Sequence, residues 1–211
     1  MRLVKLTTLI ALCLMLSLPA FAGFTTFSVP GQDGYEANTF DWGGGAGSGG
    51  AINSLGPFDF SVALDQRNVP GSWGTWACPP ATESCTPNVL YTQGATSLTL
   101  TLTSAANIVG FELEPDAFAQ EQVTAEYFNG VTPLGTISLS PNGSSGALLF
   151  AAQSSQEITS VLITDTAGDD FAIAQLRAGQ VGGTTPEPGT MILLGTGLLG
   201  ALGVMRRKMN L

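Results

Sequence analysis

The 211-residue chain contains no histidine, and this absence removes several kinds of chemistry. Catalysis of the Ser-His-Asp or Cys-His type needs an imidazole to accept the proton of the nucleophile, so both types are excluded. A zinc site built on thiolates would also lack the histidine ligands that often complete it. Hydrolysis by two facing carboxylates needs no histidine and stays open as the enzymatic alternative.

Basic residues are almost missing from the central part of the chain. Between residues 23 and 185 only Arg67 and Arg177 are basic, against fifteen acidic residues, which gives a net charge of −13. Such a surface repels phosphate backbones, so we exclude nucleic acid as a partner. The excess of acid is explained by solubility alone, although it would also tolerate divalent cations.

Cysteines are few, and two of them lie close together. Cys78 and Cys85 are flanked by three prolines, while Cys13 lies in the N-terminal leader described below. In an oxidising compartment a pair this close predicts a local disulfide. No zinc ligand set accompanies the pair, so we expect a covalent crosslink rather than a metal site.

Residues 1–22 have the composition of a signal peptide. Two basic residues come first, an apolar run follows, and Ala20-Phe21-Ala22 fits the small-residue pattern of a cleavage site. The mature chain is therefore expected to begin at Gly23 and to be exported through the inner membrane.

The C-terminal end has three parts. Residues 181–190 form a Pro/Gly-rich linker that contains Pro186-Glu187-Pro188-Gly189, residues 191–205 carry no charge, and residues 206–211 begin with Arg206-Arg207-Lys208. As a helix, Thr190 to Met205 would be about 24 Å long, short of the ~30 Å hydrocarbon core of a bilayer. The basic cluster would hold that end at the cytoplasmic headgroups. We expect a marginal membrane helix, suited to temporary retention.

This arrangement resembles the PEP-CTERM sorting signal of Gram-negative bacteria. The resemblance implies recognition and cleavage near Pro186, Glu187 and Pro188 by an exosortase, a membrane cysteine transpeptidase. It also implies transient anchoring and final placement at the cell surface or in an exopolysaccharide (biofilm) matrix. A plain C-terminal anchor behind a Pro-rich linker is the alternative, and it differs only in whether the tail is removed.

Residues 23–180 are expected to form one acidic domain made of strands. In Ser97–Leu102, apolar and hydroxyl side chains alternate with the period of two that is typical of a half-buried strand. Further strands are predicted at Phe24–Val29, Tyr35–Phe40, Phe58–Leu64, Ile108–Leu113, Val123–Phe128, Leu134–Leu139, Gly146–Ala151, Ile158–Thr164 and Phe171–Leu176. Turn signals such as Asn129-Gly130 separate them, so the pattern predicts an all-β, antiparallel β-sandwich.

Two segments depart from this pattern. Residues 42–50 consist mostly of glycine and are expected to form a flexible loop. Residues 67–87 form a long insertion that contains Trp73, Trp76 and both cysteines, and long ordered loops on sandwiches often carry binding function.

The region from Ser97 to Arg177 also resembles other PEP-CTERM proteins, which are similar in outline to jelly-roll carbohydrate-binding modules. The resemblance implies a jelly-roll-like sandwich and extracellular polysaccharide as a partner. On their insertion, Trp73 and Trp76 are candidates to stack on sugar rings, with capping of the core as the alternative. We therefore expect a non-catalytic protein, structural or carbohydrate-binding, and keep a secreted polysaccharide-modifying enzyme as the alternative.

Calcium is the one metal that the sequence suggests. Asp165, Asp169 and Asp170 lie around a turn and offer the hard oxygen ligands that Ca²⁺ prefers. Acidic residues are also favoured at turns because they accept backbone hydrogen bonds. The metal question thus stays open at this turn, and no other cofactor is expected.

Overall fold

The computed structural model describes residues 23–180. Several predictions lie outside the described residues. They are the leader with its cleavage site at Ala20 and Ala22, the linker with Pro186 to Gly189, the helix at 191–205 and the basic cluster Arg206 to Lys208.

The described residues form ten strands and one short 3₁₀ turn at Glu36–Asn38. The strands are β1 (Phe24–Phe27), β2 (Phe40–Asp41), β3 (Ala51–Leu55), β4 (Phe58–Asn68), β5 (Asn88–Tyr91), β6 (Ser97–Pro115), β7 (Val123–Asn129), β8 (Thr132–Leu139), β9 (Leu148–Asp165) and β10 (Phe171–Gly179). Every pairing between them is antiparallel, which confirms the all-β, antiparallel prediction. Within residues 23–180 no helix has the length and apolar character needed to cross a membrane.

The two longest strands, β6 and β9, organise the sheet. The strand order is β2-β10-β5-β4-β6-β9-β7-β8, with β1 on β9 and β3 on β4. The first half of β6 pairs with β4 and with the second half of β9, whereas its second half pairs with β10 and with the first half of β9. Register shifts between Thr101, Ala106 and Ile108 separate the two halves. These irregularities let the first half of β6 pair with β4 while its second half pairs with β10.

The pairings also return on themselves, because β6 joins β10 directly. The path β4, β5, β10, β6 and back to β4 is hydrogen-bonded throughout. The main core lies inside this arrangement and includes Phe58, Leu100, Phe111, Phe150 and Val161. Phe111 and Phe150 are register partners on β6 and β9, and their rings stack with centroids 5.6 Å apart. Cross-strand aromatic pairs of this kind help to fix the register of a sheet.

Several predicted strand boundaries were wrong. Ser97–Leu102 and Ile108–Leu113 belong to one strand, and so do most of the two runs placed at 146–151 and 158–164. The predicted strand Tyr35–Phe40 is instead the 3₁₀ turn followed by the two-residue strand β2. The strands β3 and β5 were not predicted, because each is short and lies beside a segment that was interpreted as a loop.

The glycine-rich segment is tied to its neighbours rather than left free. The amide of Ala46 donates to Gln66 Oε1 at 2.7 Å, and Asn88 Nδ2 donates to the carbonyl of Gly45 at 3.0 Å. Gly44 lies so close to the backbone of Asn88 that a side chain would overlap it. The glycines therefore permit close backbone packing here, which the expected flexible loop did not include.

Candidate functional site

The insertion at residues 67–87 covers the outer face of the sheet around β5, β6 and β10. A second core cluster forms beneath it from Val69, Trp73, Trp76, Ala77, Val89, Ala147, Ala172 and Ala174. The small side chains of Ala172 and Ala174 on β10 leave room for the indoles of the two tryptophans. The Cα atoms of Cys78 and Cys85 are 4.3 Å apart and their sulfurs are joined, so the cysteine pair is compatible with the predicted disulfide.

Both tryptophans of the insertion point into this cluster. Trp73 is 5% and Trp76 is 3% exposed, and the ring of Trp73 lies 5.3 Å from that of Tyr91. Neither indole presents a free face to solvent in this arrangement. Their position matches the core-capping alternative, so a sugar-stacking surface has to be built from other aromatic side chains.

Glu112 anchors the insertion from below. It lies on β6 between Phe111 and Leu113, which face the main core, so its own side chain faces the opposite side of the strand. Trp76 Nε1 donates to Glu112 Oε2 at 3.0 Å, and the amide of Glu83 donates to Oε1 at 2.5 Å. Burial raises the pKa of Glu112 to about 7, and these two hydrogen bonds oppose the rise.

A bidentate ion pair fixes the far end of the insertion. Arg177 Nε and Nη2 each donate to Glu83 at 2.6 Å, with the arginine side chain 12% exposed. A bulge at Gln175, where φ is +48°, makes this possible. Ala174 faces the insertion and Leu176 faces the core, so the extra residue reverses the alternation and brings Arg177 to the outer side.

A small pocket of about 70 Å³, open to solvent, lies where the insertion meets the end of β6. We call it the Phe118 pocket, and its principal lining residues are Arg67, Trp73, Thr75, Glu114, Asp116 and Phe118. The Phe118 ring is 79% exposed, an unusual position for a large apolar side chain beside so many polar groups. The pocket thus combines an accessible aromatic face with hydrogen-bonding groups of both kinds.

Glu114 forms the buried wall of the Phe118 pocket. Thr75 Oγ1 donates to its Oε1 at 2.6 Å, while Oε2 is buried without a hydrogen bond of good geometry. Burial raises the pKa of this carboxyl, and the bond from Thr75 offsets part of the rise. Burial and then the nearby charge of Asp170 raise the pKa of Asp116, whereas Arg67 lowers it. The two carboxyls are thereby made more basic than ordinary surface acids.

Arg67 is the cation of the pocket and is held from two sides. Its Nε donates to Asp65 Oδ2 at 2.9 Å, and its guanidinium carbon lies 3.9 Å from the centroid of the Tyr91 ring. The Tyr91 hydroxyl in turn donates to Asp170. Stacking on an aromatic ring orients a guanidinium at little entropic cost, which suits it to positioning a ligand.

The acidic residues suggested for calcium are not kept together. Asp170 accepts hydrogen bonds from the Tyr91 hydroxyl and from the amide of Gly94, so its carboxylate is already engaged by the protein. Asp165 instead ends β9, beside the segment that leads into β7 and contains Glu121. Burial raises the pKa of Glu121 to about 8, and hydrogen bonding to Asp165 and Asp169 adds to the rise. Within residues 23–180, no three or more acidic or cysteine side chains are arranged as a complete metal site.

Two further exposed aromatic residues lie on the edge strand β2 and just after it. Phe40 is 63% and Trp42 is 39% exposed, with ring centroids 4.7 Å apart. Gly56 packs directly against the Trp42 indole. This pair is a second accessible aromatic surface, distinct from the Phe118 pocket.

Sequence reasoning missed the pairing of Glu112 and Glu114. A signal for it was present, because both acids alternate with large apolar residues in a strand that precedes Pro115. Acidic residues at a spacing of two share one face of a strand, and a nearby tryptophan-rich insertion is able to cover that face. No comparable pattern in the sequence indicated that Phe118 would line a pocket.

Comparison with known families identifies one segment of the chain. Residues 184–208 match the family model of the PEP-CTERM protein-sorting motif, which confirms the expectation drawn from Pro186 to Lys208. The motif indicates an exported protein and implies processing by an exosortase. No curated protein sequence matches the chain significantly.

Among solved structures, the chain is similar to two mutants of the family 29 carbohydrate-binding module CBM29-2. Each is 13% identical to this chain with a TM-score of 0.32. The similarity covers 75% of this chain and 94% or 87% of those chains.

Proposed function

We propose that this chain is an exported, non-catalytic protein of the cell surface or exopolysaccharide matrix that binds carbohydrate through the Phe118 pocket. Residues 1–22 are its signal peptide, and the domain at 23–180 is a jelly-roll-like sandwich. The apolar segment at 191–205 anchors it in the membrane until an exosortase cuts near Pro186 to Gly189. The observation that carries the binding proposal is the exposed ring of Phe118 beside Arg67, Thr75 and Glu114.

The chemistry of the pocket fits a sugar. The apolar face of a pyranose ring packs on an aromatic side chain, while its hydroxyls need donors and acceptors at the rim. Phe118 offers the ring, Arg67 donates, and the exposed carboxylate of Asp116 accepts.

The charge of the domain narrows the choice of polysaccharide. The net charge of −13 between residues 23 and 185 opposes the approach of polymers rich in carboxylates or sulfates. We therefore expect neutral or amino-substituted polysaccharides to bind. Acidic polymers should bind weakly and only at high salt, because dissolved ions screen the electrostatic repulsion between like charges.

Retention of the exported protein on immobilised polysaccharides tests the proposal. The panel contains neutral, amino-substituted and acidic polymers, each with and without calcium. Specific retention on at least one neutral or amino-substituted polymer is the expected result. Failure to bind any polymer under either condition would remove the binding role and leave a structural one.

One observation favours a second candidate, a polysaccharide-modifying enzyme. Glu114 and Asp116 both line the Phe118 pocket, and both have a raised pKa, as the acid of a carboxylate pair requires. Incubating the retained polysaccharide with the protein and measuring new reducing ends tests this. Chain cleavage that disappears in Glu114→Gln and Asp116→Asn would establish the enzyme, and the absence of cleavage in the wild type would exclude it for that polymer.

A further inference from the structure

We infer that the Phe118 pocket binds the protonated amino group of an amino-substituted polysaccharide, and that Asp116 is the residue that holds this group. The inference rests on the proposed function, because it names the chemical group of the sugar that the same pocket selects. Its basis is that an exposed carboxylate without a partner and an exposed aromatic ring line one small pocket.

The size of the Phe118 pocket limits what can enter it. Its volume is about 70 Å³, whereas pockets that enclose a whole small ligand measure about 300–1,000 Å³. A complete pyranose ring therefore does not fit inside. A sugar that rests on the Phe118 ring, which is 79% exposed, would instead place a single substituent in the pocket. The groups that line the pocket decide which substituent is preferred.

Asp116 is the acid of the pocket that is available to a ligand. Its carboxylate is exposed and lies just after the end of β6, two residues before Phe118. Within residues 23–180, no side chain or amide donates a hydrogen bond to this carboxylate, and no ion pair includes it. Glu114 also lines the pocket, but it is buried and already accepts the hydroxyl of Thr75. A ligand therefore meets Asp116 as its charged acceptor.

The positive charge of Arg67 does not neutralise the pocket. Arg67 forms an ion pair with Asp65 at 2.9 Å, and its guanidinium stacks on the ring of Tyr91. Asp170 is a further acid close by, since the amide of Asp116 donates to its carbonyl at 2.9 Å. Burial and then the charge of Asp170 raise the pKa of Asp116, whereas Arg67 lowers it. One arginine thus stands against three aspartates, which leaves the surroundings of Asp116 negative.

An ammonium group complements this arrangement better than a hydroxyl does. Both donate hydrogen bonds to a carboxylate, but only the ammonium also offsets its negative charge. A cation is attracted to the face of an aromatic ring as well, and Phe118 offers such a face. Acetylation of the amine removes the charge and adds bulk, so an N-acetylated sugar should bind less tightly to a pocket of this size.

Calorimetric titration of the exported protein with two matched oligosaccharides tests the inference. One is an oligomer of glucosamine and the other is the N-acetylglucosamine oligomer of the same length, so they differ only in acetylation of the amine. At about pH 6 the free amine is protonated. The glucosamine oligomer should bind about threefold to tenfold more tightly. The difference should shrink as the salt concentration rises, because ions screen the attraction.

Variants separate the pocket from the general negative charge of the domain. Asp116→Asn keeps the shape of the side chain and should bind the two oligomers with about equal affinity. Asp59→Asn is the matched control, because it removes the same charge from an exposed acid on β4 that does not line the pocket. It should keep the preference for glucosamine. Circular dichroism checks that both variants are folded.

The outcomes distinguish this inference from the proposed function. Wild-type protein that binds both oligomers equally, prefers the acetylated one, or binds neither while being retained on another polysaccharide would overturn the inference and leave carbohydrate binding in place. A glucosamine preference that is the same in Asp116→Asn and Asp59→Asn would also overturn it, since general charge attraction would then account for the preference. Failure of the protein to bind either oligomer or any polysaccharide would instead remove the carbohydrate-binding proposal itself, and the inference with it.

Discussion

Trp76 donates its indole N–H to Glu112 at 3.0 Å, and this bond joins the 67–87 insertion to β6 near the C-terminal end of that strand. Both residues are buried, at 3% and 0% exposure. The insertion therefore rests on a polar contact within an otherwise apolar cluster. Such a contact specifies one position of the insertion, since any other leaves the carboxylate without a partner.

Trp76→Phe should destabilise the domain by about 1–3 kcal/mol, because the ring is largely kept while Glu112 loses a donor. Chemical denaturation followed by circular dichroism measures the change. Trp42→Phe is the matched control at an exposed indole, and it should change stability by about 0.5 kcal/mol or less. Equal effects of the two substitutions would contradict a specific role for the Trp76–Glu112 bond.

Stability should fall as pH rises from about 4.5 to 7, in part because of Glu112. Its pKa is about 7 in the folded protein against an ordinary value of 4.5, so the folded state binds the proton more tightly than the unfolded state does. Glu112 thereby contributes about 3 kcal/mol to the free energy of unfolding. This contribution is fully present below the pKa that Glu112 has in the unfolded state, and it is lost by the time the pH passes the pKa that it has in the folded state.

Glu112→Gln isolates this contribution from those of other acids. The free energy of unfolding, measured at several values of pH, should decline less steeply in the variant than in the wild type across this window. Parallel curves for the two proteins would mean that Glu112 is not the group responsible.

Gly110→Ala should disturb the packing between β6 and β9. A Cβ at this position would lie 2.6 Å from the Cβ of Ala151 and would overlap the buried Tyr35 ring. Overpacking of this kind costs about 1–3 kcal/mol. Gly74→Ala is the control, because nothing lies within 4 Å of a Cβ there. A thermal midpoint for Gly110→Ala equal to that of the control would refute the close packing described for this position.

The periodicity of the sequence predicted the strands better than their connections. Leu98, Leu100 and Leu102 are buried and alternate with more exposed threonines, as the period of two required. The alternation fails between Thr103 and Asn107, which predicted a break between strands. In fact β6 continues through register shifts, because bulges keep backbone hydrogen bonds while interrupting the side-chain pattern.

The candidate site was less accessible to sequence reasoning. The insertion was recognised as ordered and unusual, but whether its tryptophans face solvent depends on what lies beneath them. Ala172 and Ala174 make the space that buries the indoles, and nothing local to Trp73 reports alanines about a hundred residues away. The position of the segment before β7 beside the end of β9 is likewise a property of strand pairing between β7 and β9.

Processing at both ends is directly measurable in the exported protein. Mass spectrometry should find an N-terminus at Gly23 and a C-terminus near Pro186, since the sorting motif covers residues 184–208. Substitution of Glu187 by Ala should leave the C-terminal segment in place and retain the protein in the membrane fraction. Mature surface protein that still ends at Leu211 would contradict sorting by cleavage.

The affinity of Phe118→Ala for a polysaccharide that retains the wild type tests the central claim most directly. Removing the exposed ring should weaken binding by about tenfold or more, equivalent to 1.4 kcal/mol, without changing the thermal midpoint, because the ring is 79% exposed. Val131→Ala is the matched control, since Val131 is 96% exposed and lies in the β7–β8 turn. Its affinity should equal that of the wild type. Unchanged binding by Phe118→Ala would contradict the assignment of carbohydrate binding to this pocket.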